Sequence, residues 1–204
     1  MKDCCGEKAT ELSHLRKTQG RVLKVVLVIN LLMFFVEIVA GIKARSTSLL
    51  ADSLDMLGDS IVYAFSLYVL NRGPRWQAAA SLMKGLGMLA FGIGILTDAV
   101  LKTFKGIVPI PQIMGIVGLV ALFANVSCAL LLLRYRHDDI NMRSTWLCSR
   151  NDVLANTGVL IAALGVHLTG TIWPDVLVGT AIAVVVLLSS ISTLTESSAE
   201  LRTK

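Results

Sequence analysis

The sequence predicts an all-α, polytopic membrane protein with six transmembrane helices. Of its 204 residues, 54% are hydrophobic and only 16% are charged, where a soluble domain carries about 25% charged residues. The mean hydropathy is +0.71. The charges also cluster between apolar runs of about 20 residues, the length that crosses the hydrocarbon of a bilayer.

Residues 1–20 read as a cytoplasmic N-terminal tail. Lys2, Glu7, Lys8, Glu11 and Arg16 make it polar, and it has no short apolar core with a small-residue cleavage site. The transmembrane domain is expected over 21–196, followed by a short cytoplasmic C-terminal tail at 197–204. The first span, 22–43, stops at the basic pair Lys43 and Arg45. The second, 47–71, ends where Arg72, Gly73, Pro74 and Arg75 break the helix. The third, 77–101, runs out before Lys105, Gly106 and Pro109, and the fourth, 111–134, stops at the polar run Arg134 to Asp139. The fifth, 143–168, is the least apolar because Cys148, Ser149, Arg150, Asn151 and Asp152 fall together, so only a surrounding bundle could shield it from lipid. The sixth, 172–195, follows the break at Thr169, Gly170 and Thr171.

Thirteen Lys and Arg fall on the side of the termini and four on the other, which puts both termini in the cytoplasm. The net charge of +5 does not point to nucleic acid, because the basic residues flank apolar segments instead of forming a stripe with aromatics. They suit topology and anionic lipid contact in a bilayer, expected to be a bacterial inner membrane. Cys4 and Cys5 adjoin in the polar tail, while Cys128 and Cys148 lie in spans, so reduced thiols are expected. No HExxH-type motif is present, and no enzyme activity is expected.

Carboxylates inside a spanning helix are costly and usually functional. Asp55 and Asp59 on the second span, and Cys148 and Asp152 on the fifth, are i,i+4 pairs, so each pair shares one helix face. Together they supply four donors, the number a tetrahedral divalent metal takes. Thiolate among oxygens favours zinc or cadmium over magnesium or calcium. Asp52 shares the face of Asp55 and Asp59, where three carboxylates repel unless cations sit among them. Asp52 is read as a proton relay or as a helix cap near Ser46 and Ser48. Asn156 lies one turn beyond Asp152 as a supporting group. For Asp152, pairing with Arg150 or Arg143 is the plain alternative.

These residues make the chain resemble the cation diffusion facilitator family of metal/proton antiporters, over all six spans. In that family the second span carries an acidic or histidine ligand, three residues and then Asp, matched here by Asp55 and Asp59. The fifth commonly carries His, three residues and Asp, matched by Cys148 and Asp152 with cysteine in place of histidine. The resemblance implies that these four residues form the transport site near mid-membrane, with a divalent metal and protons as substrates and no resident cofactor. The implied activity is proton-coupled efflux of zinc, with cadmium next. The alternatives are a metal channel, an uptake carrier or a non-transporting metal sensor. The family's cytoplasmic C-terminal domain is not expected after Glu200. Nor is a second metal site expected in the loop at Asn71–Arg75.

Other polar residues get plainer readings. Cys4 and Cys5, and His137, Asp138 and Asp139, are read as solvated segments or as a metal entrance. Glu37 and Asp98 are placed near the outer span ends, snorkelling or pairing with Lys43 and Lys102, with lining of the exit as the alternative for Glu37. Lys84 either neutralises acidic groups or reaches the cytoplasmic interface, and His167 is structural. The glycines at 85, 87, 92, 94, 115 and 118 suit close helix packing, including that of a homodimer.

Overall fold

The computed structural model describes the backbone of residues 4–69, 74–135 and 140–202, and the side chains of 20–61, 63, 64, 67, 82, 85–135, 146, 149–195 and 198. The described backbone forms six helices and no strand: α1 (Cys4–Ala44), α2 (Thr47–Val69), α3 (Pro74–Lys105), α4 (Pro111–Leu133), α5 (Ile140–Thr169) and α6 (Trp173–Arg202). Five helical stretches, 20–44, 85–105, 111–133, 149–169 and 173–195, are long and apolar enough to cross a membrane. The remaining helix, α2, has 23 residues, which at 1.5 Å per residue is about 35 Å and exceeds the roughly 30 Å hydrocarbon core. The chain is an integral membrane protein. Helix α1 begins at Cys4 and α6 ends at Arg202, so both run beyond their membrane-length parts.

Contacts divide the bundle into a ring and a flanking pair. Helix α1 packs on α2, α2 on α5, α5 on α4 and α4 on α1, closing a four-helix ring; α3 packs chiefly on α6, and the two lean on α2. Small residues on α3 allow that close approach. A Cβ built on Gly85 would come within 2.9 Å of Leu194, and one on Gly92 within 2.7 Å of Leu187. Gly87, Gly94 and Gly115, by contrast, face open space.

The connections α1–α2, α3–α4 and α5–α6 lie at one end, here called upper, and the start of α1 and the end of α6 at the other. The first corner is tight. Arg45 takes a left-handed conformation at φ 55°, while its N–H reaches the Ile42 carbonyl at 3.3 Å and that of Ser46 reaches Gly41 at 3.0 Å. This is the Schellman pattern that satisfies the last carbonyls of a helix.

Helix α2 then starts against α6. The buried Asp175 carboxylate accepts the backbone N–H groups of Thr47 at 2.7 Å and Ser48 at 3.0 Å, and the hydroxyls of Ser46 at 2.7 Å and Ser48 at 2.6 Å. An anionic acceptor here satisfies two of the orphan donors of a helix N-terminus and complements its dipole. The approach demands glycine at 179, where a Cβ would lie 2.6 Å from the Thr47 carbonyl carbon.

The bundle is polar inside and apolar outside, the reverse of a soluble protein. Along α4 the buried stripe is Met114, Gly118, Ala121, Asn125, Cys128 and Leu132, while Ile116, Leu119, Val120, Phe123 and Leu130 point outward. Along α1 the buried stripe is Leu23, Val26, Asn30, Met33, Glu37, Ala40 and Ala44. The alternating three- and four-residue steps hold each stripe on one helix face.

Candidate metal site

Successive turns of the ring helices stack into alternating apolar and polar layers. At the upper end Ala40, Leu49, Met114, Val159 and Ala163 pack together. Midway, Met33, Met56 and Ala121 form a second apolar layer. At the lower end Val26, Tyr63, Cys128 and Leu132 form a third, joined by Trp146. Between the lower two fall the buried side chains of Asn30, Asp59, Ser60, Asn125 and Asp152, with Ser149 beside them. Between the upper two fall Glu37 and Asp52, with Asn156 at the same level on α5.

The lower polar layer contains both Asp59 and Asp152. Asp59 is 8% exposed and Asp152 3%. The Tyr63 hydroxyl donates to Asp59 Oδ2 at 2.6 Å, so tyrosine fixes the carboxylate from the next turn of its own helix. Asp152 Oδ2 has no hydrogen-bond partner, and neither has either amide atom of Asn125. Asp59, Asp55, Asp52 and Glu37 all lie within electrostatic reach of Asp152, Asp59 most strongly. Asp55, between the two layers on α2, is partly exposed.

Charge balance separates this ring from an ordinary core. Its described side chains include five carboxylates: Glu37, Asp52, Asp55, Asp59 and Asp152. Among the described residues the only buried basic one is Lys102 on α3, and it pairs with Asp98 instead. Arg150 is exposed and stacks on Trp146 at 5.7 Å, so it does not neutralise Asp152. A buried carboxylate needs a counter-ion, a proton or several donors. The ring interior therefore suits cations.

Residues 23–202 match the family model described as the cation efflux transmembrane domain, which covers most of the chain and all six helices. The chain belongs to the cation efflux family. Among its curated relatives, the zinc transporter ZitB of Yersinia pestis is 28% identical over 192 residues, covering 88% of this chain and 62% of the relative. The metal cation efflux system protein CzcD of Cupriavidus metallidurans is 25% identical over 171 residues, covering 76% and 53%. A cadmium, cobalt and zinc/H(+)-K(+) antiporter of Bacillus velezensis is 23% identical over 197 residues, covering 87% and 63%. The chain thus spans between about half and two thirds of the length of these cation efflux relatives.

In this cation efflux chain, Asp59 and Asp152 fall in one layer, with Asp55 about one turn above Asp59 on α2. Cys148 lies on α5, and its side chain falls outside the described residues, as do those of Cys4, Cys5, His14 and Lys84. His137, Asp138, Asp139 and the Asn71–Gly73 stretch lie outside them altogether. Among the described residues no three His, Cys, Asp or Glu side chains are grouped tightly enough to hold a metal ion.

Two expectations need correction. Glu37 neither snorkels nor pairs with Lys43: it is fully buried, both its oxygens lack a hydrogen-bond partner, and Lys43 is exposed. Its place on the buried stripe of α1 turns it inward. Asp52 does not cap α2, since neither of its oxygens has a hydrogen-bond partner; Asp175 of α6 takes that role. The pairing of Asp98 with Lys102 is present, and His167 is exposed near the end of α5. A lateral apolar cavity of about 390 Å³ between α1, α2 and α3 is lined by Phe34, Ile38, Leu54 and Phe91. It touches neither Asp59 nor Asp152 and is not the ion site.

Proposed function

We propose that this chain exports divalent transition-metal ions, zinc foremost and cadmium next, from the cytoplasm in exchange for protons. One observation carries the reading: four buried carboxylates, Glu37, Asp52, Asp59 and Asp152, with the partly exposed Asp55 beside them, line a membrane-embedded ring in which no described buried side chain is basic. Such residues persist in a bilayer where they mark an ion path.

The transport site in this reading is Asp55, Asp59, Cys148 and Asp152, four donors from two helices suited to tetrahedral coordination. Sulfur among the donors favours zinc and cadmium over harder ions, and the names of the relatives, a zinc transporter and a cadmium, cobalt and zinc antiporter among them, support that choice. The excess of Lys and Arg on the termini side puts the lower layer nearer the cytoplasm. Metal arriving there displaces protons, because carboxylate and thiol bind it only when deprotonated. Protons from the far side then compete the metal off. The apolar layers above and below the polar ones, around Leu49 and Tyr63, serve as the two barriers that open in turn.

The test is transport by purified protein in proteoliposomes under an imposed pH difference. Zinc should accumulate against its own gradient on the acidic side, and Asp59→Ala and Asp152→Ala should each abolish this. Zinc flux that runs only downhill and ignores the pH difference would make the protein a channel.

A further inference from the structure

The upper polar layer plays no part in the four-donor site, yet it is built in the same way. Glu37 on α1, Asp52 on α2 and Asn156 on α5 are each 0% exposed. Glu37 lies three residues from Ala40, Asp52 three from Leu49 and Asn156 three from Val159, and those three partners pack in one apolar cluster. The three polar side chains therefore sit one turn below a shared lid. Beneath them, four residues further along α1 and α2, Met33 and Met56 close the floor.

Both oxygens of Glu37, both of Asp52 and Oδ1 of Asn156 lack a hydrogen-bond partner. The Asn156 amide nitrogen donates to the Asp152 carbonyl of its own helix at 2.9 Å, which leaves the amide oxygen as a free acceptor. On α4 the facing position is Gly118, where even a Cβ would crowd Leu160 at 3.1 Å. No side chain from that helix fills the layer. Five acceptor oxygens without a donor, enclosed by apolar residues, call for a cation or for protons.

We infer that Glu37, Asp52 and Asn156 form a second, oxygen-only cation station between the transport site and the upper face, taking a divalent metal ion on its way out. An all-oxygen set binds zinc and cadmium less tightly than a set containing thiolate. The ion thus passes from a stronger to a weaker site in the direction of export, and the two layers are linked along α5, where Asn156 follows Asp152 by about one turn. This order of sites rests on the reading of Cys148 and its partners as the transport site; the upper station itself does not.

Cadmium-113 NMR with equilibrium dialysis tests it, using the full chain in nanodiscs with Cys4→Ser and Cys5→Ser to remove the tail thiols. Two bound ions are expected, one with a sulfur-bearing signal and one with an oxygen-only signal. Glu37→Gln and Asp52→Asn should each erase the oxygen-only signal, weakening that site more than about a hundredfold, since loss of supporting residues alone costs about 10–100-fold. Asn156→Ala supplies a variant on a third helix, and circular dichroism confirms that each is folded. Asp59→Asn with Asp152→Asn should remove the sulfur-bearing signal and leave the other. A single bound ion in the parent protein, or an oxygen-only signal that survives both carboxylate variants, would overturn the station. If the double variant keeps both signals, the transport-site reading fails while the upper station stands.

Discussion

Asp175→Ala should destabilise the bundle by about 3 kcal/mol, and the structure says where that figure comes from. The carboxylate accepts four hydrogen bonds from the start of α2. The two serine hydroxyls can compensate, since Ser46 Oγ and Ser48 Oγ already lie 3.2 Å apart and Ser46 Oγ also accepts the Leu49 N–H at 3.1 Å. The backbone N–H groups of Thr47 and Ser48 cannot, because both residues are fully buried. Each orphaned buried donor costs about 1–3 kcal/mol, so the pair costs about 2–6 kcal/mol before relaxation. Asp175→Asn retains one carbonyl acceptor and should lose roughly half as much. Reversible unfolding in mixed micelles, followed by circular dichroism, measures both. A loss below about 1 kcal/mol for the alanine variant would mean that the α2–α6 clamp is not a stabilising contact.

Gly179→Ala attacks the same junction from the other side. Its Cβ would meet backbone at 2.6 Å, so the helices must part, and a cost of about 1–3 kcal/mol is expected in the same unfolding assay. Cys148→His should keep zinc transport and reduce the preference for cadmium, because imidazole is a harder donor than thiolate; competition between the two metals in proteoliposomes reads this out. Tyr63→Phe removes the hydroxyl that holds Asp59 while preserving the ring in the lower apolar layer. It should weaken zinc binding about 10–100-fold with little loss of stability, as titration calorimetry can show. Zinc affinity should also fall as pH is lowered, since the ligands must shed protons to bind, and dialysis at stepped pH checks that sign.

Much of the fold was legible because a membrane-crossing helix advertises itself by length. The expected span 111–134 compares with α4 at Pro111–Leu133, and the breaks at Lys43–Arg45 and Thr169–Thr171 fall where the helices end. The i,i+4 spacing sets Asp55 with Asp59 and Cys148 with Asp152 on single helix faces only as an expectation, since the Cys148 side chain lies outside the described residues. Distance from the span end and from Lys43 is the wrong guide to Glu37. The stripe Leu23, Val26, Asn30, Met33, Glu37, Ala40 repeats every three or four residues and puts Glu37 on the buried face. The same stripe on α4 would have singled out Asn125. No local pattern could have revealed Asp175, whose partners at Ser46, Thr47 and Ser48 lie 127 to 129 residues away. That contact exists only once α6 has docked on α2.

Anomalous scattering from crystals of the zinc-loaded protein tests the central claim most directly. The account predicts a strong peak inside the α1–α2–α4–α5 ring, between the carboxylates of Asp59 and Asp152 and below Met56. Peaks confined to the protein surface, with none within that ring, would contradict it.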